Sequence, residues 1–118
     1  MRTTLLIVDD HAAFRRLARR VLQAEGFEVV GEADNGEAAL EAVARLRPDV
    51  LLLDVLLPGI DGIEVAARLA GEPVRVVLTA SREAVDFGDR ILTSPAAGFL
   101  HKDELSAASL ARVAGVTR

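Results

Sequence analysis

Five short apolar runs punctuate the chain: LLIV at 5–8, FEVVGEA at 27–33, VLLLD at 50–54, VRVVLT at 74–79 and GFL at 98–100. Most are near-continuous in Val, Ile and Leu, without polar alternation, which is the pattern of strands buried on both faces. Between them the period changes. Phe14, Leu17, Ala18, Val21 and Leu22 follow the i, i+3, i+4, i+7, i+8 spacing of an amphipathic helix, and Arg15, Arg16, Arg19 and Arg20 fall largely on its other face. Gly26 ends that helix. A second helix is expected over Gly36–Leu46, with Ala39, Val43 and Leu46 inward, Glu41 and Arg45 outward, and Pro48 preventing continuation. A third, short helix is expected over 63–70. A fourth is placed within 83–93 on a weak apolar pattern closed by Pro95. A fifth starts near Asp103 or Glu104 and ends by Gly115, with Leu105, Ala108 and Ala111 or Arg112 spaced along it.

Strand followed by helix, five times over, implies an α/β fold: a parallel sheet with helices on both faces and right-handed crossovers. Open sheets of this kind bind ligands at the carboxyl ends of their strands, near the point where strand order reverses. The first strand runs into Asp9 and Asp10, the third ends in Asp54, the fourth ends in Thr79, and Lys102 closely follows the fifth. Each residue has an ordinary reading by itself. An acid pair after a strand commonly caps and charges a helix start; a threonine caps helices; a lone lysine is a solvated charge. Together, at four strand ends, they describe one pocket.

Three carboxylates brought together repel, and ionising all of them requires cations. Their hard oxygens suit Mg²⁺, which keeps several waters and engages phosphate. Lys102 is the single lysine among 14 basic residues. A compact ammonium binds phosphate as a point charge, where arginine offers a planar fork, so a position that must reach into a phosphate pocket resists replacement by arginine. The chemistry that fits is an aspartyl phosphate: an aspartate attacks phosphorus, Mg²⁺ and Lys102 neutralise the phosphoryl oxygens, and the Thr79 hydroxyl bonds a third oxygen.

Composition narrows the class. At 118 residues, 51% of them apolar, the chain suits one domain, residues 1–118, with a core that needs no staples. It has no cysteine, hence no disulfide or thiolate metal site. A net charge of −4 and dispersed arginines argue against a direct nucleic-acid surface. The apolar runs are too short for a membrane span, the first residues lack a secretory signal, and the internal HKDEL is not at a C-terminus where a retention signal is read. A cytoplasmic protein is expected.

LLIVDDH, PDVLLLDVLLPGIDG, LTAS and GFLHKDEL together resemble the receiver domain of two-component response regulators over essentially the whole chain. The DVLLPGIDG stretch around Asp54 is the most specific of these. DDH at the first strand and Asp103 after the lysine are most similar to receivers of regulators with a C-terminal helix-turn-helix. The resemblance implies a flavodoxin-like (βα)5 sheet of strand order 2-1-3-4-5. It implies that Asp54 is the phosphoacceptor and that Asp10 binds Mg²⁺ directly, Asp9 directly or through water, and the Leu56 carbonyl as a third protein ligand. It further implies that Thr79 is the switch hydroxyl, Lys102 the partner of a phosphoryl oxygen, and Phe99 the switch aromatic. The phosphodonor implied is a sensor histidine kinase or a histidine phosphotransfer protein. The signalling surface implied is the fourth helix, fifth strand and fifth helix, read by a downstream protein or by an output domain missing from this chain; phosphorylation-dependent homodimers are common in the family. The chain ends about one helix after Lys102, which leaves either a stand-alone receiver or a piece of a longer regulator.

Two departures from the family pattern stand out. The stretch 83–93 and Pro95 replace the usual regular fourth helix, and Leu56 stands where many receivers place a polar residue that orients hydrolytic water. With only a short hydroxyl at Ser81, slow autodephosphorylation is expected. Such a domain is an enzyme only in catalysing its own phosphotransfer. Two other classes compete: a pseudo-receiver that signals by binding alone, against which the complete set of five pocket residues argues, and an aspartate-nucleophile phosphohydrolase, which would want an acid at Leu56. Of the remaining residues, His11 reads as first-turn surface, with contact to the pocket as the lesser alternative, His101 as edge or surface, Asp61 as a helix cap, Gly31 as a bulge, Gly59 as a loop residue near the pocket, and the Arg15–Arg20 cluster as a solvated face or a kinase dock.

Overall fold

The apolar runs do become strands: each pairs on a neighbour, and the three central ones, from the first, third and fourth runs, are buried along nearly their whole length. The structure, a computed structural model, describes residues 2–118. In chain order the elements are β1 (Thr4–Val8), α1 (Ala12–Ala24), β2 (Glu28–Ala33), α2 (Gly36–Leu46), β3 (Val50–Asp54), α3 (Gly62–Arg68), β4 (Arg75–Ala80), β5 (Gly98–His101) and α4 (Ala107–Ala114). All strand pairs are parallel and the order is β2-β1-β3-β4-β5, as the resemblance implied.

Alternate residues of one strand face opposite sides of a sheet, so the central strands feed two cores. Leu6, Val8, Leu51, Leu53 and Leu78 pack with Ala39, Val43, Val65 and Ala66 of α2 and α3. Leu5, Ile7, Val50, Leu52 and Val77 pack with Ala18 and Leu22 of α1 and with Leu110 and Ala114 of α4. Leu5 pairs with Val29 but Leu6 with Gly31, so β2 carries one extra residue and the bulge expected at Gly31 is present.

Helix starts are set by side chains that satisfy the first free backbone N–H groups. Asn35 accepts from Ala38 N at 2.8 Å and starts α2, whose bounds match the expectation. Asp61 accepts from Glu64 N at 2.9 Å and starts α3, as expected of a cap; α3 is two residues shorter at its end than the pattern suggested. In α1 Leu17, expected inward, is 55% exposed, while Ala18 and Leu22 are buried.

Two expectations fail between β4 and the chain end. No α-helix forms within 83–93. A single 3-10 turn, Ala84–Phe87, is followed by Gly88 at φ +64°, a left-handed conformation that breaks a right-handed helix, and turns continue to β5. The physical cause is the missing apolar stripe: Phe87 and Ile91 reach the core, but Val85 and Leu92 are 79% and 86% exposed. The fifth expected helix starts late. Lys102–Glu104 form one 3-10 turn and Leu105 is extended; α4 then begins after Ser106, whose side chain accepts from Ser109 N while the Ser109 hydroxyl accepts from Ser106 N. Ala107, Leu110, Ala111 and Ala114 are therefore its buried face, and Ala108 is exposed.

Candidate functional site

The carboxyl ends of β1, β3, β4 and β5 bring the acids, the threonine and the lysine together, as the sequence suggested. Asp9 follows β1 directly and is fully buried; Asp54 is the last residue of β3 and lies opposite Thr79 in the β3–β4 register. The loop after Asp54 is clamped by backbone bonds, Val55 N to Thr79 O at 2.9 Å and Gly62 N to Val55 O at 2.8 Å. Residue 62 must be glycine, since a Cβ there would overlap the Asp54 carbonyl oxygen and crowd the Val55 Cα. The start of α3 is thus seated directly on the backbone of Asp54.

Lys102 reaches from the turn after β5 into this pocket. Its Nζ stands 2.6 Å from Asp9 Oδ2 and 3.2 Å from Asp54 Oδ2. The Asp9 contact is ionic and poorly directed for a hydrogen bond, whereas Lys102 donates a well-formed one to Asp54. The face of Phe14 lies 4.5 Å from the ammonium, a cation–π contact. Asp54 Oδ1 accepts from Leu56 N at 3.1 Å, and the Leu56 side chain is 50% exposed beside it. The Thr79 hydroxyl is buried and bonds nothing among the described residues. Phe99 is half-buried against the core formed with α2 and α3.

Asp10 is exposed at the mouth, next to a shallow cleft of about 460 Å³ lined by Asp34, Asn35, Glu37, Pro58 and Gly59. His11, read as first-turn surface with pocket contact as the lesser alternative, is exposed at the N-cap of α1 and does touch the pocket. Its Nδ1 lies 3.0 Å from Asp9 Oδ1 and 3.2 Å from Asp10 Oδ1, and its backbone N–H donates to Asp9 Oδ1 at 2.8 Å. The arginine face of α1 is also less free than it read: Arg15 donates to the Asp9 carbonyl, and Arg15 and Arg19 both hold Glu32 of β2. The apolar spacing that placed Phe14 at the front of the α1 stripe was the one sequence signal for its position under the lysine.

The charges set the protonation of the pair. Burial, then the Asp9 charge, push Asp54 up to about 6 against the pull of Lys102 and of the Leu56 N–H. Burial also pushes Asp9 up, but Lys102 and His11 together outweigh it and hold Asp9 below the ordinary carboxylate range. Burial pulls Lys102 down, and Asp9 and Asp54 more than restore it. One lysine therefore does not fully compensate two buried acids, and a further cation has a reason to enter.

The donor set fits Mg²⁺. Oxygens of Asp9, Asp10 and Asp54, with the His11 ring nitrogen, all lie within 4.8 Å of one another, and carboxylate oxygens with room for water are what that ion takes. Size alone would point elsewhere. A larger groove, about 1100 Å³, lies at the opposite end of the strands between Arg47, Asp49, Arg75 and Val116. The clustered carboxylates and lysine that can handle transferred charge are not there.

Comparison with known proteins agrees with this geometry. Residues 5–114 match the response regulator receiver domain family. The chain is 42% identical over 106 residues to the Bordetella pertussis transcription regulator BvgA, covering 88% of this chain and 51% of BvgA. It is 40% identical over 101 residues to the response regulator GacA of Pseudomonas aeruginosa, covering 83% of this chain and 47% of GacA. The chain thus spans about half the length of these curated relatives. Among solved structures, the signal receiver domain of NarL from Mycobacterium tuberculosis superposes with a TM-score of 0.88 at 37% identity, covering 97% of both chains. Sequence, fold and these relatives agree: the chain belongs to the response regulator receiver domain family of two-component signalling.

Proposed function

We propose that Asp54 is the phosphoacceptor of this receiver, and the observation that carries the reading is the Lys102 ammonium shared between Asp9 and Asp54 beside the unpartnered Thr79 hydroxyl. An Asp54 carboxylate oxygen attacks the phosphorus of a phosphohistidine. The P–N bond breaks, an acyl phosphate forms on Asp54, and the imidazole leaves with the electron pair and takes a proton from water. Lys102 keeps the attacking carboxylate ionised and turns to a phosphoryl oxygen once the carboxylate charge is consumed; its flexible stem allows that shift. The Thr79 hydroxyl, bonded to nothing now, gains a partner in the phosphoryl group and draws the end of β4 with it. Asp9, Asp10 and Asp54, with the Leu56 carbonyl, would hold Mg²⁺, which supplies charge neutralisation for the phosphoryl oxygens.

The donor is a sensor histidine kinase or a histidine phosphotransfer protein, and the acceptor domain works in the cytoplasm. Residues 1–118 act as one domain. The output surface comprises β5, α4 and the turns before β5, with Phe99 as the switch aromatic. It is read by a downstream protein, by an output domain such as transcriptional relatives carry, or by a second phosphorylated copy.

Intact-protein mass spectrometry after incubation with acetyl phosphate tests the reading. One Mg²⁺-dependent phosphoryl adduct is expected, lost in Asp54→Asn. Stoichiometric labelling that survives the substitution, or no labelling from either acetyl phosphate or a phosphohistidine donor, sinks it.

A further inference from the structure

We propose that His101 is a positioning residue that locks the end of β4 to the turn carrying Lys102; its role in phosphotransfer rests on the reading of Asp54 as phosphoacceptor. His101 is the last residue of β5 and pairs with Ala80, the residue after Thr79. It lies on the edge strand, as the sequence suggested, but its side chain is only 13% exposed. Nε2 donates to the Ser81 carbonyl at 3.1 Å, and Nδ1 accepts from the Asp103 N–H at 3.0 Å. One nitrogen must carry a proton and the other must not, so the two bonds together select one neutral tautomer.

The partners give the clamp its meaning. Ser81 lies two residues past Thr79, and Asp103 one residue past Lys102. Both partner groups belong to the backbone, so a single rigid ring fixes the spacing between the strand end bearing the hydroxyl and the turn bearing the ammonium. The nearest side-chain charges are Glu83, 3.9 Å from Nε2, and Asp103 Oδ2, 3.7 Å from Nδ1; both are mostly exposed and neither is at hydrogen-bond distance. At its far end the Lys102 turn is held to α4, where the Ser109 hydroxyl donates to the Glu104 carbonyl at 2.8 Å and Leu105 packs on the core, but nearer the lysine support is thinner. The Lys102 turn closes on one backbone bond, Leu105 N to Lys102 O at 3.3 Å. Beyond Ser81 the chain enters the turns that stand where a helix was expected, so no regular element holds that strand end from outside. A misplacement of about 1 Å in a group that orients a transferring charge can cost two orders of magnitude in rate; a ring that sets the Lys102 turn acts on that distance.

Three substitutions separate the two bonds. Asparagine places an acceptor near Nδ1 and keeps the turn capped, but does not reach Ser81. Glutamine extends a donor toward Ser81 and loses the near acceptor. Leucine fills the space and keeps neither. For His101→Leu the maximal rate of Mg²⁺-dependent labelling by acetyl phosphate should fall about tenfold with the half-saturating concentration unchanged, and His101→Asn, which keeps the turn capped but loses the tie to Ser81, should stay near that lowered rate. His101→Gln should stay near the leucine variant. Thermal melting confirms that each variant is folded, and ¹⁵N shifts of the ring in the unaltered protein should show Nε2 protonated and Nδ1 bare. Wild-type rates in His101→Leu, recovery of the asparagine or glutamine variant to near the original rate, or a ring protonated at Nδ1 would each overturn the clamp while leaving Asp54 as acceptor intact. An unaltered chain that never labels would instead remove the phosphoryl reading, and the clamp's catalytic role with it.

Discussion

On the β2–β1–β3 side of the sheet, the covering layer is made of three helices with apolar stripes and defined starts. On the β4–β5 side α4 packs on one face, but on the face shared with α2 and α3 the stretch between Ser81 and Pro95 covers the sheet with one 3-10 turn and a series of tight turns. The first region is held by backbone: ladders on both sides of β1 and β3, helix hydrogen bonds, and the caps at Asn35 and Asp61. The second leans on individual side chains. Arg90 reaches Asp61 at 2.7 Å, Phe87 and Ile91 dip into the core, and His101 ties two loops. Asp9 and Asp54 come from the first region, and Lys102 from the second. The pocket therefore joins a rigid acid pair to a cation whose position depends on replaceable contacts, an arrangement suited to a group that must move.

Substitutions can sharpen or break that contrast. The largest effect should come from the helix-covered side: Leu53→Ala removes a fully buried side chain and should cost about 3 kcal/mol in urea unfolding, whereas Leu92→Ala in the turn region should cost less than about 0.5 kcal/mol. Comparable losses would erase the distinction.

Next comes the charge trapped in the rigid part. Because Asp54 is raised from 3.8 to about 6, the folded state binds its proton more tightly than the unfolded chain. The contribution of this group to stability therefore falls as pH rises through about 4 to 6 and stays low above that range. With divalent cations chelated, Asp54→Asn should stabilise the protein at pH 7.5 by on the order of 1 kcal/mol, the gain shrinking toward zero near pH 4. A melting series against pH checks the sign; a gain that grows on acidification would refute it.

Ser106→Ala removes the capping box of α4 and should cost about 1 kcal/mol, with fraying confined to that helix in hydrogen exchange. The smallest global effect is expected for Arg90→Ala, since an exposed ion pair contributes about 0.5 kcal/mol or less. Locally, amide exchange across 88–97 should speed up while that of α2 is unchanged.

The same divide marks what could be read from the sequence. The strand set, the bounds of α2, the Asp61 cap and the Gly31 bulge were all legible, because each follows from periodicity or from a residue with one dominant backbone role. So was the convergence of Asp9, Asp54, Thr79 and Lys102, since strand ends in a parallel sheet share one edge. The fourth helix was placed on alternation of elements rather than on a stripe, and no stripe existed. The start of α4 was set too early because Asp103 and Glu104 look like first-turn acids; Ser106 and Ser109, spaced as a capping box, carried the better signal. His11 could be suspected of touching the pocket only from its place after the acid pair, and the contacts of His101 had no signature at all: they depend on ring nitrogens meeting groups brought close only by the fold.

Lys102 also has a practical consequence. Apart from the α-amino group, it is the only primary amine in the chain, and it points into the acid pocket. Acylating dyes, amine crosslinkers and coupled biosensor surfaces would therefore either miss this protein's side chains or modify the pocket itself. Tethering through amines would read as loss of function, while the extent of acylation at this one position would offer a simple chemical gauge of how firmly the pocket holds its cation.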